Sequence, residues 1–113
     1  MVLFLDDLDV NLDLFKAAAG NLPHRRHLNP SSALDCLKTR SARVIVTDQA
    51  MPFMLGTEFI ARARRICPNA HIIMVSSDPP TQFEPESQPD EVITKPFDTL
   101  TLRRRLNSLL RAP

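Results

Sequence analysis

Polar groups able to hold or move a phosphoryl group stand at the ends of short apolar runs. Asp6 and Asp7 follow Val2-Leu3-Phe4-Leu5, and Asp48 follows Arg43-Val44-Ile45-Val46-Thr47. Ser76 follows His71-Ile72-Ile73-Met74-Val75, and Lys95 follows Glu91-Val92-Ile93-Thr94. Continuous apolar runs of this length read as strands of a parallel sheet buried on both faces. In an open parallel sheet the carboxyl ends of the strands face one edge, and that edge is where ligands bind. The acids, the hydroxyl and the ammonium are therefore expected in one place. Carboxylate oxygens are the ligands a hard divalent cation such as Mg²⁺ prefers, with waters completing an octahedron. A cation would also relieve repulsion among the acids, which otherwise raises one of their pKa values. A lysine adds a second positive group and a serine a hydrogen bond to an oxyanion. Such a set suits phosphoryl transfer, in which positioning and charge neutralisation dominate.

The elements between the runs must turn the chain back for each strand to start at the same end. Residues 9–19 form an amphipathic stretch with Val10, Leu14 and Ala17/Ala18 on one side and Gly20 as a stop signal. A weak strand is expected over residues 25–28. Pro30-Ser31-Ser32 offers a helix start before Ala33, Leu34 and Leu37. Residues 57–66 place Phe59, Ile60, Ala63 and Ile66 at helical spacing, and Pro68 closes them. Asp98 or Thr99 caps a last helix through Leu110, with Leu102, Leu106, Leu109 and Leu110 inward. Strands alternating with helices predict an α/β fold with a five-stranded parallel sheet, doubly wound, in one domain over residues 1–113. One connection departs from the pattern. Residues 79–90 hold four prolines and no helical period where the alternation requires a helix. Proline lacks the backbone donor and clashes with the preceding turn, so this segment is expected as a mobile loop with at most one helical turn, around residues 82–84.

Composition narrows the function classes. A formal charge of +1 gives no global attraction to nucleic acid or anionic lipid. No apolar run approaches the roughly 20 residues of a membrane span, and the opening run is too short for a signal peptide. A cytoplasmic location follows as the expectation. Cys36 and Cys67 have no ligand partner at metal spacing and read as reduced, packed thiols. The arginines at 62, 64, 65 and 103–105 read as solvated helix faces rather than a nucleic-acid patch, the last helix being an alternative partner or dimer surface.

Four segments in register resemble one family. Asp48-Gln49-Ala50-Met51-Pro52-Phe53-Met54-Leu55-Gly56-Thr57-Glu58 resembles the D-x-x-M-P-x-M-x-G-x-E segment of response-regulator receiver domains. Asp6-Asp7-Leu8-Asp9-Val10-Asn11-Leu12 resembles their D-D-x-x-x-N-L, Thr94-Lys95-Pro96-Phe97 their closing K-P-F, and Ser76 stands where they carry Thr or Ser. The resemblance implies a flavodoxin-like receiver fold and a signalling phosphoacceptor rather than a turnover enzyme, one that catalyses its own phosphorylation and dephosphorylation. It implies Asp48 as the phosphoacceptor. Mg²⁺ would then be held by Asp7, Asp48 and the Ala50 backbone carbonyl, with Asp6 acting through water. Lys95 would pair with the phosphoryl oxygens, Ser76 would turn toward them, and the Lys95-Pro96 bond would be cis. The implied partners are a histidine kinase or phosphotransfer protein, an output domain or partner protein, and a second copy of the chain, with no nucleic acid and no membrane. Asn11 is expected on the helix surface or in a local hydrogen bond outside the site, and Met51, Phe53 and Met54 as packing residues of the loop.

Two features depart from that family. Val92 occupies the position of its usual switching aromatic, and the proline-rich segment replaces its fourth helix. A receiver fold that binds partners without phosphorylation is therefore the alternative reading. A more distant one uses Asp7-Leu8-Asp9, which resembles the opening of haloacid-dehalogenase-like phosphatases; the order of the later motifs and the chain length argue against it.

Overall fold

A computed structural model describes residues 1–111. Strands β1 (Val2–Leu5), β2 (His24–His27), β3 (Val44–Thr47), β4 (His71–Ser76) and β5 (Glu91–Thr94) alternate with helices α1 (Asp9–Ala19), α2 (Pro30–Thr39), α3 (Gly56–Ile66) and α4 (Thr99–Arg111). The strands form one parallel sheet in the order β2-β1-β3-β4-β5. This is the expected doubly wound, flavodoxin-like arrangement. Its switch point lies between β1 and β3, because the chain leaves β1 toward one edge and then crosses to the other side.

Alternation along the strands divides the core. Leu3, Leu5, Ile45, Ile72 and Met74 face α2 and α3, meeting Ala33, Leu37, Phe59, Ile60 and Ala63. Val2, Phe4, Val44, Val46, Ile73 and Val75 face the other way, onto Leu12, Phe15 and Ala18 of α1 and Leu102 and Leu106 of α4. Each large side chain buried this way contributes roughly 1.5–3 kcal/mol. Both sheet faces are covered, which is why the central strands carry no polar alternation.

The inward face of α1 differs from the expectation. Leu12, Phe15, Ala18 and Ala19 are buried, whereas Val10 and Leu14 are exposed. Phe15 fixes this rotation by stacking on Phe4 at 4.9 Å and on Phe97 at 5.3 Å. Strand β2 starts and ends one residue earlier than expected and leaves Leu28 exposed. As an edge strand of sequence His24-Arg25-Arg26-His27, it carries the charge that discourages a further strand from adding. Asn29, rather than a serine, caps α2, its side chain accepting from the Ser32 N–H at 3.0 Å with Pro30 in the first turn. Asp98 caps α4, accepting from the Leu100 N–H at 2.9 Å.

No α-helix forms between β4 and β5. The helical turn there lies at Pro85–Ser87 rather than at residues 82–84, because proline is accepted in a first turn but not inside one. The segment is nevertheless held at both ends. Phe83 packs on the α2–α3 side of the core. Arg64 of α3 donates to the Ala70 carbonyl (3.3 Å), the Gln88 carbonyl (3.0 Å) and the Asp90 carboxylate (3.0 Å). Asp90 also accepts from the Ile72 N–H at 2.8 Å. Arg64 is thus a structural clamp rather than part of a solvated face. Arg105 likewise pairs with Glu91, which also meets His71 Nε2 at 2.7 Å.

Candidate functional site

The register brings the acids together. Leu5 pairs with Thr47, so Asp6 and Asp48 leave adjacent strands side by side, and the Asp48 N–H closes the ladder on the Leu5 carbonyl at 3.1 Å. Adjacent strands are about 4.8 Å apart, within reach of one cation. Ser76 pairs with Thr94, and the Lys95 N–H continues to the Ser76 carbonyl at 2.9 Å. Each functional residue is therefore the last of its strand or lies just beyond it, on the sheet edge where ligands are expected.

Asp6, Asp7 and Asp48 form a cluster in which one carboxylate oxygen from each lies within 4.8 Å of the others. Lys95 Nζ bridges two of them, donating to Asp6 Oδ2 at 2.9 Å and to Asp48 Oδ2 at 3.1 Å. Burial works against the lysine charge, but the Asp6 and Asp48 carboxylates outweigh it and hold the ammonium above the ordinary lysine range. Burial lifts the Asp7 carboxyl above the usual Asp range. Its own backbone amide and Lys95 oppose that rise, while the charges of Asp6 and Asp48 add to it.

The three carboxylates differ in how much of their acceptor capacity is engaged. Asp6 is fully buried and receives the Leu8 N–H on Oδ1 (3.0 Å) and Asn11 Nδ2 (3.1 Å) together with Lys95 on Oδ2. Asp48 is 7% exposed and receives the Gln49 N–H on Oδ1 at 2.7 Å as well as Lys95. Asp7 is half-buried, more open than the other two, and its carboxylate has its own backbone amide beside it. A hard cation fits this donor set, with Asp7 the most open ligand, Asp48 second, and Asp6 the most engaged.

The loop after Asp48 is tightly closed. The Gly56 N–H donates to the Gln49 carbonyl at 2.8 Å, and a Cβ on Gly56 would lie 2.1 Å from the Asp48 carbonyl oxygen. Glycine is required here by space, since no larger residue fits against that backbone. Met51 is buried and Met54 packs on the core, as expected. Phe53 is not a packing residue: it is fully exposed, with a positive φ of 73° at the apex of the loop. Ala50 is exposed beside the site.

Ser76 is buried, and its hydroxyl accepts from the Asp78 N–H at 3.4 Å. Among the described residues the hydroxyl makes no hydrogen bond to the acid cluster or to the Lys95 ammonium, so it stands at the site without joining the bonded cluster. The Lys95-Pro96 bond is cis. Asn11 was expected outside the site, yet its amide touches Asp6; it lies on the first turn of α1, where a side chain points back over the preceding loop. Val92 is 42% exposed and points away from the core.

The carboxyl edge of a single parallel α/β sheet thus carries an acid cluster bridged by a lysine. No protein-family model matches the chain. The curated response regulator receiver protein CpdR of Brucella abortus is 30% identical over 111 residues, spanning 95% of this chain and 92% of its own. A CheY-like response regulator receiver domain protein of Methanospirillum hungatei superposes with a TM-score of 0.87 at 21% identity, covering 96% of this chain and 91% of that one. The receiver domain of Francisella response regulator 1452 gives 0.77 at 29% identity, covering 96% and 93%. The chain belongs to the response regulator receiver family of two-component systems. Among the described residues no helix is long and apolar enough to cross a membrane.

Proposed function

We propose that the protein accepts a phosphoryl group on Asp48 from a histidine kinase or phosphotransfer protein, in a Mg²⁺-dependent reaction in the cytoplasm, and thereby switches its contacts with a partner or output domain. The observation that carries this reading is the bridging of Asp6 and Asp48 by Lys95 beside the open carboxylate of Asp7. Asp7, Asp48 and the Ala50 carbonyl would hold the cation, which would neutralise charge on the transferred group, while Asp6 orients through water.

The chain's own groups account for the rest. The Gln49 N–H holds Asp48 Oδ1, leaving the Oδ2 oxygen, shared with Lys95, to attack phosphorus. The Asp48 oxygen–phosphorus bond forms as the donor's bond to phosphorus breaks, giving an acyl phosphate. Lys95 can follow the charge from the Asp48 carboxylate to the phosphoryl oxygens without leaving the site. Ser76, free of the cluster, can turn its hydroxyl to the same oxygens. Hydrolysis of the acyl phosphate returns the domain to its starting state, so the protein acts as a signalling phosphoacceptor rather than a turnover enzyme. A second copy of the chain is a further proposed partner, through the exposed Leu100 and Val92 near α4 and β5.

The exposed Val92 and the absent helix between β4 and β5 favour one other reading, a receiver fold that binds partners unmodified. Incubation with Mg²⁺ and a small phosphodonor such as acetyl phosphate or phosphoramidate, followed by intact mass, separates the two. Phosphoryl acceptance predicts one added phosphoryl group per chain, absent without Mg²⁺ and absent in Asp48→Ala. An unmodified mass with every donor would leave the binding-module reading.

A further inference from the structure

We infer that Gln49 is a positioning residue for the phosphoacceptor, holding Asp48 in its attacking orientation through a brace across the loop to the start of α3. The inference rests on the phosphoryl-acceptor reading of Asp48.

Helix α3 begins without a capping side chain of its own. Its N-cap is Leu55, which offers no acceptor, so the first amides of the helix need a partner from elsewhere. Gln49 supplies it from eight residues upstream: its side-chain Oε1 accepts the Thr57 N–H at 2.9 Å, and its Nε2 lies 3.5 Å from Thr57 Oγ1. The same residue's carbonyl accepts the Gly56 N–H at 2.8 Å. Its N–H donates to Asp48 Oδ1 at 2.7 Å, the shortest of the hydrogen bonds the Asp48 carboxylate receives. One residue therefore ties the phosphoacceptor carboxylate, the loop and the helix terminus together.

Space around the brace is matched to it. A Cβ on Gly56 would lie 2.9 Å from both Gln49 Cα and Gln49 Oε1, so glycine at 56 leaves room for the glutamine head as well as for the Asp48 carbonyl. On its other side the head borders an open cleft of about 440 Å³ lined by Thr57, Pro80, Gln82 and Phe83. Packing does not enclose the amide there, so hydrogen bonds rather than close contacts fix its position. Losing them leaves the Gln49 peptide held to the helix start only by its carbonyl's bond to the Gly56 N–H, and so loosens the N–H that holds Asp48 Oδ1. Displacements of about 1 Å at a reacting group can slow a reaction on the order of 100-fold. The smaller loosening expected from an unbraced loop corresponds to about a tenfold loss.

The test compares wild type, Gln49→Leu, Gln49→Ala and Gln49→Glu. Glutamate keeps an acceptor for the Thr57 N–H at a helix N-terminus, which favours negative charge. Two readouts are taken at a temperature where each variant is folded: the labelling rate constant at saturating Mg²⁺ and acetyl phosphate, and metal-free hydrogen exchange of the amides at 49 and 57. Positioning predicts labelling about tenfold slower in Leu and Ala, exchange at both amides about tenfold faster, unchanged exchange at Val44 and Val46, and return to within threefold of wild type in Glu. Equal labelling rates in all four proteins would overturn the inference. So would Leu and Ala variants that fail to fold while Glu folds, since the brace would then be structural alone. A wild type that takes no phosphoryl group would instead refute the acceptor reading on which the inference stands.

Discussion

Replacing Lys95 with methionine tests the electrostatic logic of the site. The ammonium lies 2.9 Å from Asp6 and 3.1 Å from Asp48, with its side chain 14% exposed and that of Asp6 wholly buried. At an effective dielectric of about 20, two unit charges 4 Å apart attract by roughly 4 kcal/mol, and the lysine makes two such contacts at shorter range. Desolvation of the three charges offsets much of this. Removing one partner of a buried pair nevertheless costs about 3–5 kcal/mol, because the remaining charges are left uncompensated. Here the half-buried Asp7 opens the cluster to water, so the loss is expected near the lower figure, about 3 kcal/mol at pH 7 without metal. Without the lysine the folded state binds protons more tightly than the unfolded chain, so the variant regains stability as pH falls from 7 toward 5. Mg²⁺ at about 100 times its Kd would add roughly 2.7 kcal/mol and supply the missing positive charge. Urea unfolding followed by far-ultraviolet circular dichroism measures all three effects, since the chain has no Trp or Tyr for fluorescence. A variant within about 0.5 kcal/mol of wild type, with no response to pH or Mg²⁺, refutes the reasoning, because exposed ion pairs behave that way.

Further predictions follow from the same geometry. Asp7→Asn should raise metal-free stability at neutral pH by up to about 1 kcal/mol, because the raised folded pKa of Asp7 marks a destabilising charge there; the same change should abolish stabilisation by Mg²⁺ in thermal melts. Gly56→Ala should destabilise by about 2–3 kcal/mol and slow phosphoryl labelling, since the new methyl meets the Asp48 carbonyl at 2.1 Å. Gly20→Ala, where φ is +58° but no atom lies closer than 3.7 Å, should cost about 1 kcal/mol and leave labelling unchanged. Arg105 holds the Glu91 carboxyl below its ordinary value of 4.5, so its stabilisation is present above that value and lost as pH falls through the lower folded pKa. Glu91→Gln should therefore lower stability by about 0.5–1 kcal/mol at pH 7 and change nothing at pH 2, as measured by urea midpoints across pH.

The strands and the strand-end residues were legible because burial on both faces leaves an unbroken apolar run, and the first polar residue after it must emerge at the sheet edge. Asp6 and Ser76 obey that rule, Asp48 follows one residue later because Thr47 is itself buried, and Lys95 ends the edge strand β5, whose burial alternates. The rotation of α1 was not legible. Its apolar residues surround much of the helix, and only the Phe4–Phe15–Phe97 stack decides which of them face inward. Phe97 comes from the far end of the chain, beyond any local pattern. The exposed Phe53 misled for a related reason, since an aromatic in a loop suggests packing while the positive φ at the apex turns it outward. The proline-rich segment was correctly read as lacking an α-helix. Its anchoring by Phe83 and Arg64 depends on contacts across the fold, which carry no periodic signal. Asn11 and Gln49 carry no such signal: each bonds through a side-chain amide, Asn11 to Asp6 and Gln49 to the first turn of α3, at positions where any polar residue would look ordinary.

Locating the phosphoryl group tests the account most directly. Borohydride reduces an aspartyl phosphate to homoserine, and peptide sequencing by tandem mass spectrometry then reads the position. After treatment with Mg²⁺ and acetyl phosphate, the account predicts homoserine at position 48 and at no other aspartate. Homoserine at position 7, or none in protein that has gained the mass of a phosphoryl group, would contradict it.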